Sequence, residues 1–130
     1  QKGALFALGD CHALMGDGEV CVTGCEIGAE VTLKMDVIKA KDITWPLLET
    51  DAYTMVIVSG DTLEDAVKTA TDQAVTHLQN GLDVSWEDAY MLASLVVDFR
   101  ISQVVNPTKT VRAAIPKNLL QTKLLIQSIK

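Results

Sequence analysis

Hydrophobic and polar positions divide this 130-residue chain into a strand-patterned front, a helical middle and a mixed end. Ala4 to Leu8 is a short apolar run ending at Gly9. Residues 19–26 form a second strand candidate, reached through a Gly16-Asp17-Gly18 turn. From Glu30 to Val37 the alternation is regular. Val31, Leu33, Met35 and Val37 share one face, while Glu30, Thr32, Lys34 and Asp36 share the other, which predicts a half-buried strand. Residues 43–48 contain Trp45-Pro46 and suit a sheet edge, because proline cannot donate to a ladder. Tyr53 to Ser59 is strongly apolar, is closed by Gly60, and predicts a central strand.

The period then changes. Asp61 or Thr62 caps a helix with Glu64 and Asp65 in its first turn. Leu63, Val67, Ala70, Ala74 and Leu78 follow helical spacing as far as Asn80-Gly81, a stop signal. Ser85 with Asp88 is a capping-box variant opening a second helix to about Val97. Residues 99–105 and 110–115 return as strands around Asn106-Pro107-Thr108, and Pro116 starts a final helix over 117–128. The expected organisation is one domain over 1–130: strands in 1–59, a helical hairpin over 61–98, strands in 99–116, then the helix. That order predicts a β-rich α+β fold, an antiparallel or mixed sheet or sandwich with an inserted helical hairpin and a C-terminal helix.

Chemistry concentrates in Gly9-Asp10-Cys11-His12-Ala13-Leu14-Met15-Gly16-Asp17-Gly18-Glu19. On an extended backbone Asp10 and His12 point the same way, so a carboxylate oxygen and an imidazole nitrogen can share one divalent ion. The glycines permit a tight turn that brings Glu19 back toward that face. A hairpin with a polar tip fits the same spacing, and spacing alone does not separate the two.

The run Gly9-Asp10-x-His12-Ala13-x-x-Gly16-Asp17-Gly18-Glu19-Val20-Cys21, followed by Glu26, resembles the signature of the acetamidase/formamidase family. Asp88-Ala89-Tyr90-Met91-Leu92-Ala93-Ser94, Asp98-Phe99-Arg100-Ile101-Ser102-Gln103-Val104-Val105 and Val111-Arg112-Ala113-Ala114-Ile115-Pro116 extend the likeness to roughly residues 3–118. Met15, where the family often has glutamine, and the tail from Gln121 depart from it. Family members are about twice as long, so the resemblance is to their carboxy-terminal half.

The resemblance implies hydrolysis of a short aliphatic amide, formamide- or acetamide-like, to a carboxylate and ammonia with a divalent metal, zinc being the usual one. Asp10 and His12 are then the metal ligands, and Glu19 and Glu26 the catalytic candidates: Glu19 to hold or deprotonate the water and pass its proton to the departing amine, Glu26 as a third ligand or as the base instead. Gln103 is a candidate for orienting the amide. The expected partners are the small amide and either an N-terminal half of the same protein or further copies of the chain. Two other classes compete: a non-catalytic interaction domain, and a module that binds metal or a small ligand without turnover.

Composition narrows these choices. A net charge of −6 leaves no basic patch for nucleic acid or an acidic membrane surface. No apolar run approaches the ~18 residues of a membrane span, and no signal-peptide pattern opens the sequence. Three cysteines, an odd number, point to reduced thiols and a cytoplasmic setting. Cys21 and Cys25 are expected as small buried hydrophobes. His77 is expected in solvent, Asp98 and Arg100 as an ion pair, and Asp17 as a turn residue capping backbone donors. Hydrophobic content of 48% is high for so small a domain, and fits equally a chain that hides apolar surface against something else and a well-packed core with few loops.

Overall fold

The computed structural model describes residues 3–129. Strands β1 (Leu47–Glu49), β2 (Tyr53–Gly60), β3 (Asp98–Gln103) and β4 (Lys109–Pro116) form one antiparallel sheet in the order β1-β2-β4-β3. Helices α1 (Leu63–Leu82) and α2 (Trp86–Val96) are inserted between β2 and β3, and α3 (Thr122–Ser128) follows β4. This is the α+β arrangement the sequence order predicts, in its single-sheet form.

Alternation along β2 and β4 decides which face is covered. Val56, Val58, Val111, Ala113 and Ile115 point to one side, where they bury against Ala66, Ala70, Ala74, Val75 and Leu78 of α1. Small residues at i, i+4 and i+8 let α1 lie close to the strands. Leu120 and Leu125 close the same core from the α3 side, and the buried hydroxyls of Thr54 and Thr122 satisfy each other at 2.7 Å. Met55 and Ala114, neighbours across β2 and β4, are buried on the opposite face, which also carries Arg112.

Both predicted caps form. The Thr62 hydroxyl accepts from the Asp65 amide at 3.1 Å, and the Ser85 hydroxyl accepts from the Asp88 amide at 3.0 Å. The expected stop at Asn80-Gly81 is overrun: α1 continues to Leu82, and Asp83, at φ 55°, makes the left-handed exit instead. A Cβ on Gly81 would lie 2.5 Å from Leu120 Cδ1, so the glycine serves helix packing rather than termination. The last helix starts at Thr122, not at 117. Pro116 remains in β4 opposite Tyr53, and the Lys117 amide still donates to the Ala52 carbonyl at 2.8 Å.

The front of the chain departs most from its pattern. The strands expected at 4–8, 19–26 and 30–37 do not form as regular elements, and of 43–48 only the end becomes β1. A strand needs a neighbour for its backbone groups and a cover for its apolar face. Here Val31, Leu33, Met35 and Val37 stay exposed, as does Leu5 at 99%. Cys21 and Cys25 are exposed for the same reason, against the expectation of burial. His77, expected in solvent, instead lines a cavity of about 310 Å³ with Trp45, Gln73, Asn80 and Ile129. Burial lowers its pKa from the ordinary 6.5.

Two outcomes follow from these contacts. Alanine at an interior helical glycine ordinarily stabilises by about 1 kcal/mol. Gly81→Ala should instead destabilise by about 1–3 kcal/mol, because buried Leu120 has no room to yield; urea denaturation measures it. For His77, the unfolded chain takes up the proton more readily than the fold does. Its contribution is therefore fully present above pH 6.5 and is lost as pH falls below that value. Melting curves of His77→Gln between pH 7.5 and 5 should show a smaller acid decline than those of the unsubstituted protein.

Candidate metal centre

Residues 11–14 and 25–27 run antiparallel. The Ala13 amide donates to the Cys25 carbonyl at 2.8 Å, Cys25 to Leu14 at 2.8 Å, and Ile27 to Cys11 at 3.0 Å. This short ladder places His12 directly opposite Glu26, on one face. Glu26 Oε1 lies 2.7 Å from His12 Nε2, and Asp10 Oδ1 lies 3.3 Å from the same nitrogen. The imidazole is only 11% exposed, whereas both carboxylates face solvent.

Asp10 reaches this point by a different route from the one its spacing suggests. Its φ is 58°, so the Asp10–His12 stretch is not extended, and the backbone curls the carboxylate onto the ring. Aspartate tolerates the left-handed region better than most residues. Gly24 fits the imidazole from the other side: a Cβ there would stand 2.8 Å from His12 Cγ. The Thr23 hydroxyl donates to Glu26 Oε1 at 2.9 Å, and this bond, followed by the contact with His12, holds the Glu26 carboxyl below the usual carboxylate range.

Asp10, His12 and Glu26 each offer one donor atom, and the three atoms lie within 4.8 Å of one another. One imidazole nitrogen and two carboxylate oxygens suit zinc, iron or manganese, and calcium less well. The donor set therefore fits a divalent ion.

Glu19 is not in this cluster. It sits at φ 42° beside a hollow of about 450 Å³ that Leu14, Met15, Val20, Thr23 and Gly24 also line. Gln103 lies farther off, and its side chain is engaged in the β3–β4 turn. Its amide donates to the Thr108 carbonyl at 2.7 Å and to the Thr110 hydroxyl at 3.0 Å, and its oxygen accepts from the Asn106 amide at 3.0 Å.

Two smaller expectations are corrected. Asp98 and Arg100 make no ion pair; the Arg100 guanidinium stacks over the Tyr53 ring at 4.4 Å. Asp17 does not cap its own turn but pairs with Arg112 at 2.6 Å, a contact between residues 95 positions apart that local pattern cannot show.

With this geometry in view, the comparisons are direct. The model of the acetamidase/formamidase family matches residues 1–122. The chain belongs to the acetamidase/formamidase family. No curated protein matches it. Among solved structures, an acetamidase from Bacillus halodurans is 43% identical with a TM-score of 0.77, over 82% of this chain and 36% of that one. A predicted acetamidase/formamidase from Thermoanaerobacter tengcongensis is 38% identical with a TM-score of 0.80, over 85% and 37%. An acetamidase from Yersinia enterocolitica is 37% identical with a TM-score of 0.79, over 85% and 34%. The chain thus spans about a third of the length of these acetamidase/formamidase structures.

The Gly24 contact gives a test of the centre's construction. Gly24→Ala should push the His12 ring off Glu26 and weaken zinc retention at least ~10-fold. Gly28→Ala, where a Cβ meets nothing within 4 Å, should leave retention unchanged. Competition with a chromophoric chelator reads both.

Proposed function

We propose that this chain supplies the metal-holding part of an amidase that converts a short aliphatic amide to a carboxylate and ammonia. The observation that carries this is the meeting of Asp10, His12 and Glu26 donor atoms within 4.8 Å, inside the residues that the family model matches. The three solved relatives are named as acetamidases or as a predicted acetamidase/formamidase, which supports the amide substrate.

In this proposal Asp10 Oδ1, His12 Nε2 and Glu26 Oε1 would hold one divalent ion, zinc being the one that the family resemblance implies. A zinc ion at such a site polarises a carbonyl and brings the pKa of water to roughly 7. Glu26 is assigned to ligation because its Oε1 lies 2.7 Å from His12 Nε2, within the donor cluster that Glu19 does not join. Glu19 is assigned the proton work. Glu19 lines the hollow that Thr23, Gly24 and Cys25, the residues leading to Glu26, also line, and there it would accept a proton from water and return it to the departing amine. Gln103, occupied within its turn, shapes that side of the site rather than binding the amide.

The exposed apolar residues between Leu5 and Ile38 favour a partner surface, which we assign to further polypeptide of an acetamidase/formamidase or to another copy of the chain. The described cysteines are free, in keeping with the proposed cytoplasmic setting, and no helix is long and apolar enough to cross a membrane.

Metal analysis together with ammonia release from formamide and acetamide, with and without chelator, tests the proposal. His12→Ala should lose metal and activity together. Glu19→Gln should keep the metal and lose rate by ~100-fold or more. An unchanged rate in Glu19→Gln would remove it from the proton-transfer role, and full metal retention in His12→Ala would remove the ligand assignment.

A further inference from the structure

The hairpin that carries Asp10, His12 and Glu26 meets the sheet at its apex. Gly18 is buried against the free edge of β3: its amide donates to the Ser102 carbonyl at 3.2 Å, and its carbonyl accepts from the Val104 amide at 2.9 Å. The register of β3 slips between Ile101 and Gln103, and that bulge leaves the Ser102 and Val104 backbone groups available to Gly18. Gly18 itself has φ 98°, a conformation other residues rarely adopt.

Beside it, Asp17 Oδ1 reaches over β3 to Arg112 Nη2 of β4, at 2.6 Å. Arg112 is only 22% exposed, and its cross-strand neighbour on β3 is Arg100, a second cation. Asp17 is the carboxylate paired with Arg112 among the described residues, and the Arg112 Nε is buried without a hydrogen bond. With a second cation beside it and one nitrogen buried without a partner, the Arg112 guanidinium is left uncompensated if the Asp17 carboxylate is withdrawn.

We propose that Arg112 is a positioning residue for the metal centre, acting through Asp17 to dock the Gly16-Asp17-Gly18 apex on the sheet and so fix the approach of Glu26 to Asp10 and His12. The proposed ligands lie on the two arms of the hairpin, 10–12 before the apex and 26 after it, and among the described residues the arms are joined by three backbone bonds, Ala13 to Cys25, Cys25 to Leu14 and Ile27 to Cys11. Most of the intervening side chains are exposed and contribute little packing to hold the arms at one angle. The apex contacts supply that constraint from the rigid sheet. On this account the Gly-Asp-Gly of the motif is a docking element rather than a free turn. The proposal rests on the metal assignment above.

The test measures the zinc dissociation constant of the full chain by chelator competition for Asp17→Asn, Arg112→Gln and the exchanged pair Asp17→Arg/Arg112→Asp. Far-UV circular dichroism confirms the fold of each. Amide exchange is followed at Val104, Ala13 and Cys25. Asp17→Asn and Arg112→Gln should each weaken zinc binding by ~10-fold or more, the range for groups that orient ligands. The exchanged pair should recover to within about threefold of the original, a rescue that a simple packing role for either side chain would not produce. Asp17 is 61% exposed, so Asp17→Asn reports even if Arg112→Gln does not fold. Folded single variants with unchanged zinc affinity, or an exchanged pair no tighter than the weaker single variant, would overturn the proposal. If the unsubstituted chain holds no zinc, the metal assignment fails. The docking role is then decided by exchange alone: faster exchange at Ala13 and Cys25 as well as Val104 in Asp17→Asn supports it, and unchanged exchange there overturns it.

Discussion

The pairing of β2 with β4 is the constraint on which the rest of the molecule depends. It joins residues 53–60 to 109–116 in a continuous eight-residue antiparallel register, across a gap filled by two helices and β3. One face of that pair carries Val56, Val58, Val111, Ala113 and Ile115, and α1 is held there by small side chains that allow close approach. The other face carries Arg112. A one-residue slip would exchange the two faces, putting a guanidinium into the helical core and valines under the hairpin. Correct register therefore serves the core and the candidate site together.

The site is built differently from the body that supports it. The core is buried and closely packed, whereas the hairpin that carries Asp10, His12 and Glu26 is thin and largely exposed, with its order set by a few directional contacts. His12 is fixed by Gly24 on one side and by two carboxylates at its Nε2. Asp10 and Glu19 both have positive φ values, as does Val22, where branching at Cβ makes that conformation unusual. Strain of this kind clusters where a loop must aim side chains rather than minimise its own energy. The solved relatives are about three times as long as the matched region, and the exposed front of this chain shows where further polypeptide would have apolar surface to cover.

What was legible in the sequence follows from the range of the forces involved. Thr62 and Ser85 were readable as caps because a cap is settled within three residues. The strand at 53–60 and the α1 periodicity were readable because burial on a fixed face imposes a fixed spacing. The alternation at 30–37 misled because a strand pattern states only what the segment can do when a neighbour is present. Gly81 misled because a packing glycine and a terminating glycine look alike until Leu120 is seen against it. Within the candidate site, the meeting of Asp10 with His12 was legible from their spacing, although the backbone that unites them is not extended as that spacing assumes. That Glu26, and not Glu19, stands opposite His12 depends on the ladder between residues 11–14 and 25–27, which spacing does not reveal. The Asp17–Arg112 pair lay beyond any local pattern, since its partners meet only after the sheet forms.

X-ray absorption at the zinc edge on zinc-loaded protein is the most direct measurement of the central claim, that Asp10, His12 and Glu26 form one metal centre. A centre formed by these three residues should give a first shell of nitrogen and oxygen at about 2.0–2.2 Å, with imidazole scattering that disappears in His12→Ala. A shell containing sulfur at about 2.3 Å would place the ion on Cys11, Cys21 or Cys25 and contradict it.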